Sequence, residues 1–147
     1  MTPHPITILL ADDDEDDRRF TRDALARNRM LNDFRTVEDG EQLMDYLHRR
    51  GPYAGAPRPG LILLDLNMPK KDGREALEEI KQDAELRSIP VVVLTTSQQE
   101  IDILSSYELG ANSFITKPVG FDGLVSCLQK LGQYWLQIVT LPPESSP

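Results

Sequence analysis

Cysteine is nearly absent from this chain: Cys127 stands alone among 147 residues. A single thiol excludes an intramolecular disulfide and leaves no set of cysteines for a zinc cluster. That usage suits a reducing cytosol. Long apolar runs are missing as well. The amino-terminal MTPHPITILLADDD contains an apolar stretch of only six residues, too short for a signal peptide or a membrane span. A soluble, cytoplasmic protein with no membrane partner is expected. Positive charge is scarce, with 16 Lys and Arg against 24 Asp and Glu and a net charge of −8. A nucleic-acid surface needs a basic patch to displace phosphate counterions, so that class is disfavoured, while a local cation site is not. No repeat, low-complexity block or interdomain linker is present. The length is that of one ordinary domain, sufficient to bury a core and fold alone. With 39% hydrophobic and 27% charged residues the composition is globular.

What is present is an alternation. ITILLA (6–11) is a continuous apolar run with β-branched residues, the pattern of a strand buried on both faces. DDDEDDRRFTRDALARNR follows, acidic first and basic later, the charge order that suits a helix dipole. FRTV (34–37) predicts a short strand, and GEQLMDYLHRR a helix burying Leu43, Met44 and Leu47. GPYAGAPRPG (51–60), with three prolines and three glycines, reads as a surface loop. LILLD (61–65) is a second doubly buried strand, and GREALEEIKQDA a helix with Ala76, Leu77, Ile80 and Ala84 inward. IPVVVLTT (89–96) is a strand. QQEIDILSSYELG is a helix closed by Gly110. NSFIT (112–116) is a strand, and FDGLVSCLQKLGQYWLQ a last helix with Phe121, Leu124, Val125, Leu128, Leu131 and Trp135 on one stripe. Five strands alternating with five helices imply an α/β fold with a five-stranded parallel sheet covered on both faces. Ligands of such open sheets bind at the carboxyl ends of the strands.

Those ends carry the chemistry. Asp12, Asp13 and Asp14 follow the first strand, Asp65 and Asn67 the third, Thr95, Thr96 and Ser97 the fourth, Lys117 and Pro118 the fifth. Like charges about 4 Å apart repel by roughly 4 kcal/mol per pair at an effective dielectric of about 20. A hard divalent cation removes that repulsion, and Mg²⁺ takes a few oxygen ligands while keeping several waters. Asp14, Glu15, Asp16 and Asp17 read as a solvated, dipole-favoured helix start, whereas Asp12 and Asp13 abut the buried strand and read as site residues. Asp65 can be a turn residue before Pro69, but a carboxylate at a sheet end is partly desolvated, and one placed there can attack phosphorus. The plain alternatives for Thr95, Lys117 and Phe114 are a β-branched strand residue, a solvated lysine and a core ring.

ADDD, LLDLNMPKKDG, VVLTTS and FITKP, in that order and each at a strand end, resemble the receiver domain of two-component response regulators. The resemblance covers residues 6 to about 136, with 137–147 as a carboxyl-terminal extension of one domain spanning 1–147. It implies a flavodoxin-like (βα)5 fold with Asp65 as the phosphoacceptor, phosphorylated by a histidine kinase. Asp13 and Asp65 would bind Mg²⁺ by carboxylate and Asn67 by its backbone carbonyl, with Asp12 acting directly or through water. Thr95 would swing toward the phosphoryl group, Phe114 would follow it inward, and Lys117, before a cis Pro118, would pair with a phosphoryl oxygen. Such a domain is not an enzyme in the ordinary sense, although it catalyses its own phosphotransfer and slow autodephosphorylation. Two positions depart from the pattern. Thr96 stands where Ala or Gly is common, narrowing access to Asp65, and Phe114 replaces the common tyrosine. LGQYWLQIVTLPP and NMPKKDGREAL resemble the stand-alone regulators paired with phytochromes, so a phytochrome kinase is the expected input and a downstream protein or relay partner the output, with no further output domain on the chain. A phosphohydrolase with an aspartate nucleophile is a rival, but it would place a second aspartate where Asn67 stands. A phosphorylation-independent binding module is another, but every acidic position is filled. The apolar surplus on the fourth helix (Ile101, Ile103, Leu104, Tyr107) and the tail (Trp135, Leu136, Ile138, Val139, Leu141) predicts a homodimer, with Phe121 of the fifth helix also at the contact.

Overall fold

The computed structural model of the chain describes residues 7–27, 33–66, 68, 70, 73–95 and 113–116. Five strands, β1 (Thr7–Ala11), β2 (Asp33–Val37), β3 (Leu61–Asp65), β4 (Val91–Thr95) and β5 (Ser113–Thr116), alternate with helices α1 (Glu15–Arg27), α2 (Gly40–Leu47) and α3 (Gly73–Gln82). All pairings are parallel and the sheet order is β2-β1-β3-β4-β5. The expected fourth and fifth helices lie outside the described residues.

The apolar runs explain the layering. Every residue of β1 and β3 is buried, which an open sheet permits only where both faces are covered. On one face Leu9, Ala11, Ile62, Leu64, Val91 and Val93 form a single core with Leu43 and Met44 of α2 and Ala76, Leu77 and Ile80 of α3. The alternate residues Ile8, Leu10, Leu63, Val92 and Leu94 are equally buried. Right-handed crossovers place α1 on that second face, because the chain moves outward from β1 to β2 but in the other direction from β3 to β4. Strand order therefore reverses between β1 and β3, and their carboxyl ends form the switch point where such sheets bind ligands.

Three expectations change. Ala84 is exposed and lies past the end of α3. Asp83 Oδ1 accepts the Glu85 amide at 2.8 Å and turns the chain, so that Leu86 and Ile89 fill the core instead. In α2, Leu47 is only half-buried while Tyr46 is buried, its hydroxyl donating to the Pro57 carbonyl at 2.8 Å. The 51–60 segment is more than a surface loop. It opens with a 3₁₀ turn at Gly51–Tyr53, packs Tyr53 and Ala56 on the core, and joins the sheet where the Gly60 amide donates to the Thr7 carbonyl at 2.8 Å.

Candidate functional site

Asp12 is the first residue past β1, and its amide still donates to the Val37 carbonyl of β2 at 3.1 Å. The side chain is 1% exposed, and Oδ1 accepts the Asp14 amide at 3.0 Å, which fixes the turn into α1. Asp14 has the separate role expected of it. Its Oδ1 accepts the amides of Asp16 (2.8 Å) and Asp17 (3.2 Å), capping the helix. Asp65 ends β3 and is 7% exposed. Asp13 is exposed at the rim. One carboxylate oxygen from each of Asp12, Asp13 and Asp65 lies within 4.8 Å of the others.

This is a set of hard oxygen donors, two of them buried, at the switch point of the sheet. Their mutual repulsion is least screened where water is excluded. An all-oxygen set suits Mg²⁺, Mn²⁺ or Ca²⁺ rather than a thiophilic metal. The residues present therefore fit a divalent cation.

Register places the other candidates on neighbouring strands. Asp65 pairs with Leu94, so Thr95 lies one residue beyond the phosphoacceptor candidate on the adjacent strand; Thr95 in turn pairs with Thr116, and Phe114 with Val93. Thr95 and Phe114 are placed by backbone alone. Asn67, Thr96, Lys117 and Pro118 lie outside the described residues, as do Ile101, Leu104, Phe121, Trp135 and Leu141.

Three supporting residues escape a reading of the sequence. The Gly73 amide donates to the Leu66 carbonyl at 2.9 Å. A Cβ at Gly73 would collide with the Asp65 carbonyl oxygen and lie 2.7 Å from Leu66 Cα. Glycine is thus required because α3 begins against the backbone that carries Asp65. The Gly after Lys70–Asp72 marks a turn in the sequence, but its contact partner is not legible there. Arg18 Nη1 donates to the Asp12 carbonyl at 2.8 Å, tying α1 to the end of β1. Lys70, in the loop after Asp65, has φ +65° and places its ammonium 3.8 Å from Asp39, the buried N-cap of α2 whose Oδ1 accepts the Gln42 amide at 2.8 Å.

Residues 8–129 match the family described as the response regulator receiver domain. The chain belongs to that family. The receiver is 46% identical over 138 residues to the response regulator Rcp1 of Synechocystis sp., covering 94% of both chains. Among solved structures it is similar to the phosphorylated cyanobacterial phytochrome response regulator RcpA, with a TM-score of 0.85, 47% identity and coverage of 95% of this chain and 99% of that one. It is also similar to the Mn²⁺-bound form of Rcp1, with a TM-score of 0.83, 45% identity and coverage of 95% and 100%. The flavodoxin-like fold and the role as receiver of a two-component response regulator follow, and the acidic cluster has the composition of a receiver's divalent-metal site. No helix among the described residues is long and apolar enough to cross a membrane.

Proposed function

We propose that this receiver takes a phosphoryl group from a phosphohistidine of a phytochrome-type histidine kinase onto Asp65, with Mg²⁺ as its metal. The observation that carries the reading is the placement of Asp65, buried at the end of β3 with Asp12 and Asp13 within 4.8 Å. An Asp65 carboxylate oxygen attacks phosphorus as the bond to the donor imidazole nitrogen breaks. The product is an acyl phosphate, and the imidazole leaves with the electron pair. Asp12, Asp13, Asp65 and the Asn67 carbonyl would hold the Mg²⁺, which when bound neutralises charge on the transferring oxygens. Gly73 and the Asp12 turn hold the two buried carboxylates in register, so little reorganisation accompanies attack. Lys117 pairs with a phosphoryl oxygen, Thr95 donates a hydrogen bond to another, and Phe114 moves inward behind it. Slow hydrolysis of the acyl phosphate resets the site.

The similarity to a phytochrome response regulator supports the choice of kinase, and the cysteine usage supports a cytoplasmic setting. The 1–147 chain acts as one receiver whose output is a downstream protein or relay partner. It self-associates as a homodimer through Ile101, Leu104, Phe121, Trp135 and Leu141. Intact mass after incubation with acetyl phosphate and Mg²⁺ tests the acceptor role: one phosphate is gained by the wild type and none by Asp65→Asn, and full incorporation in the mutant would defeat it. Sedimentation tests the dimer, since truncation after Gln133 should yield monomer.

A further inference from the structure

The opposite pole of the sheet, at the amino ends of the strands, carries a cavity of about 140 Å³. It lies between the end of α2, the segment leading into β3 and the turn leading into β4. Three charged residues line it: Arg49, Arg58 and Glu85. Each arginine makes one hydrogen bond to a neutral oxygen. Arg49 Nε donates to the Ala56 carbonyl at 3.1 Å, and Arg58 Nη2 to Ser88 Oγ at 3.2 Å. Among the described residues neither forms an ion pair, and Glu85 is paired with neither of them. The neighbouring Arg50, by contrast, lies 3.6 Å from Asp45. The cavity thus gathers two guanidinium groups that lack an ion pair among the described residues, on a chain of net charge −8.

The backbone supplies a second, independent observation. Arg49 has φ +56° and follows the last turn of α2, where its amide donates to the Tyr46 carbonyl at 3.0 Å. This left-handed position after a helix is ordinarily glycine's, because a Cβ is strained there. An arginine held in it puts a forked donor at the cavity mouth at the expense of backbone comfort, a pattern that points to function.

We infer that this cavity binds a glutamate or aspartate side chain of an extended peptide on a partner protein. Two guanidinium forks match a carboxylate. The cavity is well below the ~300 Å³ at which small-molecule and cofactor pockets begin, so it admits one side chain rather than a nucleotide. Leu47 and Pro57, both half-buried, also line it, so an apolar neighbour beside the acid has a surface to cover, which a bare anion would leave open.

The test is amide NMR on the full chain titrated with N-acetyl-Leu-Glu-amide, with N-acetyl-Leu-Gln-amide and inorganic phosphate as parallel probes. The expected result is saturable shifts in 46–60 and 85–89 with the glutamyl peptide, weakened about tenfold by loss of the charge-assisted pair with the glutaminyl peptide, with Arg49→Gly and with Arg58→Gln. Arg49→Gly keeps the fold and raises the melting temperature, because glycine relieves the left-handed strain, so loss of binding in it is not loss of structure. No shifts, equal shifts with the glutaminyl peptide, shifts that survive both variants, or binding of phosphate alone would overturn the proposal.

Discussion

At the carboxyl ends of the strands three carboxylates crowd within 4.8 Å, two of them buried. At the amino ends two arginines line a cavity and stay in water. Both poles hold a non-glycine residue at positive φ, Lys70 at the first and Arg49 at the second. The difference lies in what fixes the charged groups. Asp12 and Asp65 are held by strand ends, an aspartate turn and the close approach of Gly73, and Lys70 ties the loop after Asp65 to the cap of α2. Arg49 and Arg58 are each anchored by a single hydrogen bond. Burial makes charge at one pole strong and geometrically exact enough for chemistry, whereas solvent screening at the other suits reversible recognition.

The comparison breaks most visibly at Asp65, the proposed acceptor. Asp65→Asn should abolish phosphorylation by acetyl phosphate while melting cooperatively, and Arg58→Gln should leave incorporation at the wild-type level; intact mass reads both. Next comes the close approach at α3. Gly73→Ala must displace the backbone of Asp65 or of α3, so a loss of about 1–3 kcal/mol of stability is expected together with slower phosphorylation. Gly55→Ala, with nothing within 4 Å of the added methyl, should be neutral or stabilising by roughly 0.4–1 kcal/mol. Urea unfolding and phosphorylation kinetics separate the two.

Metal sharpens the contrast further. Mg²⁺ at about 100 times its Kd should stabilise the wild type by about 2.7 kcal/mol. Asp13→Ala should lose most of that response while slightly raising the metal-free melting temperature, because Asp13 is exposed and its repulsion partly screened. An unchanged Mg²⁺-dependent melting shift in this variant would remove Asp13 from the site. The smallest effect is alkaline. Burial raises the Tyr46 phenol above its ordinary value near 10. The unfolded chain then loses that proton first, so this contribution to stability is complete below pH 10 and declines as pH rises through the folded-state value. Tyr46→Phe should flatten that decline. It should also cost about 1 kcal/mol at neutral pH, because the Pro57 carbonyl loses its donor. Melting temperature against pH reads both parts.

Much of the architecture was legible because the strands are doubly buried. A strand covered on both faces is apolar at nearly every position, so ITILLA, LILLD and IPVVVLTT each declared themselves, and the acids at the ends of the first two marked the cluster of Asp12, Asp13 and Asp65. The end of α3 was misjudged because the apolar period runs on through Ala84. The turn built by the Asp83 carboxylate and the pull of Leu86 and Ile89 into the core override it. Tyr46 was overlooked because its burial depends on a carbonyl eleven residues away.

The sequence by itself determined the alternation of strands and helices, the family, and the residue types at the strand ends, since these rest on local periodicity and on spacing along the chain. Tertiary structure alone decided that Gly73 presses on the backbone of Asp65, that Arg18 holds the Asp12 carbonyl, that Lys70 reaches the cap of α2, and that Arg49 and Arg58 share one cavity. Each of these contacts joins separate segments, and its energy depends on distance and desolvation, which exist only once the sheet has brought its ends together.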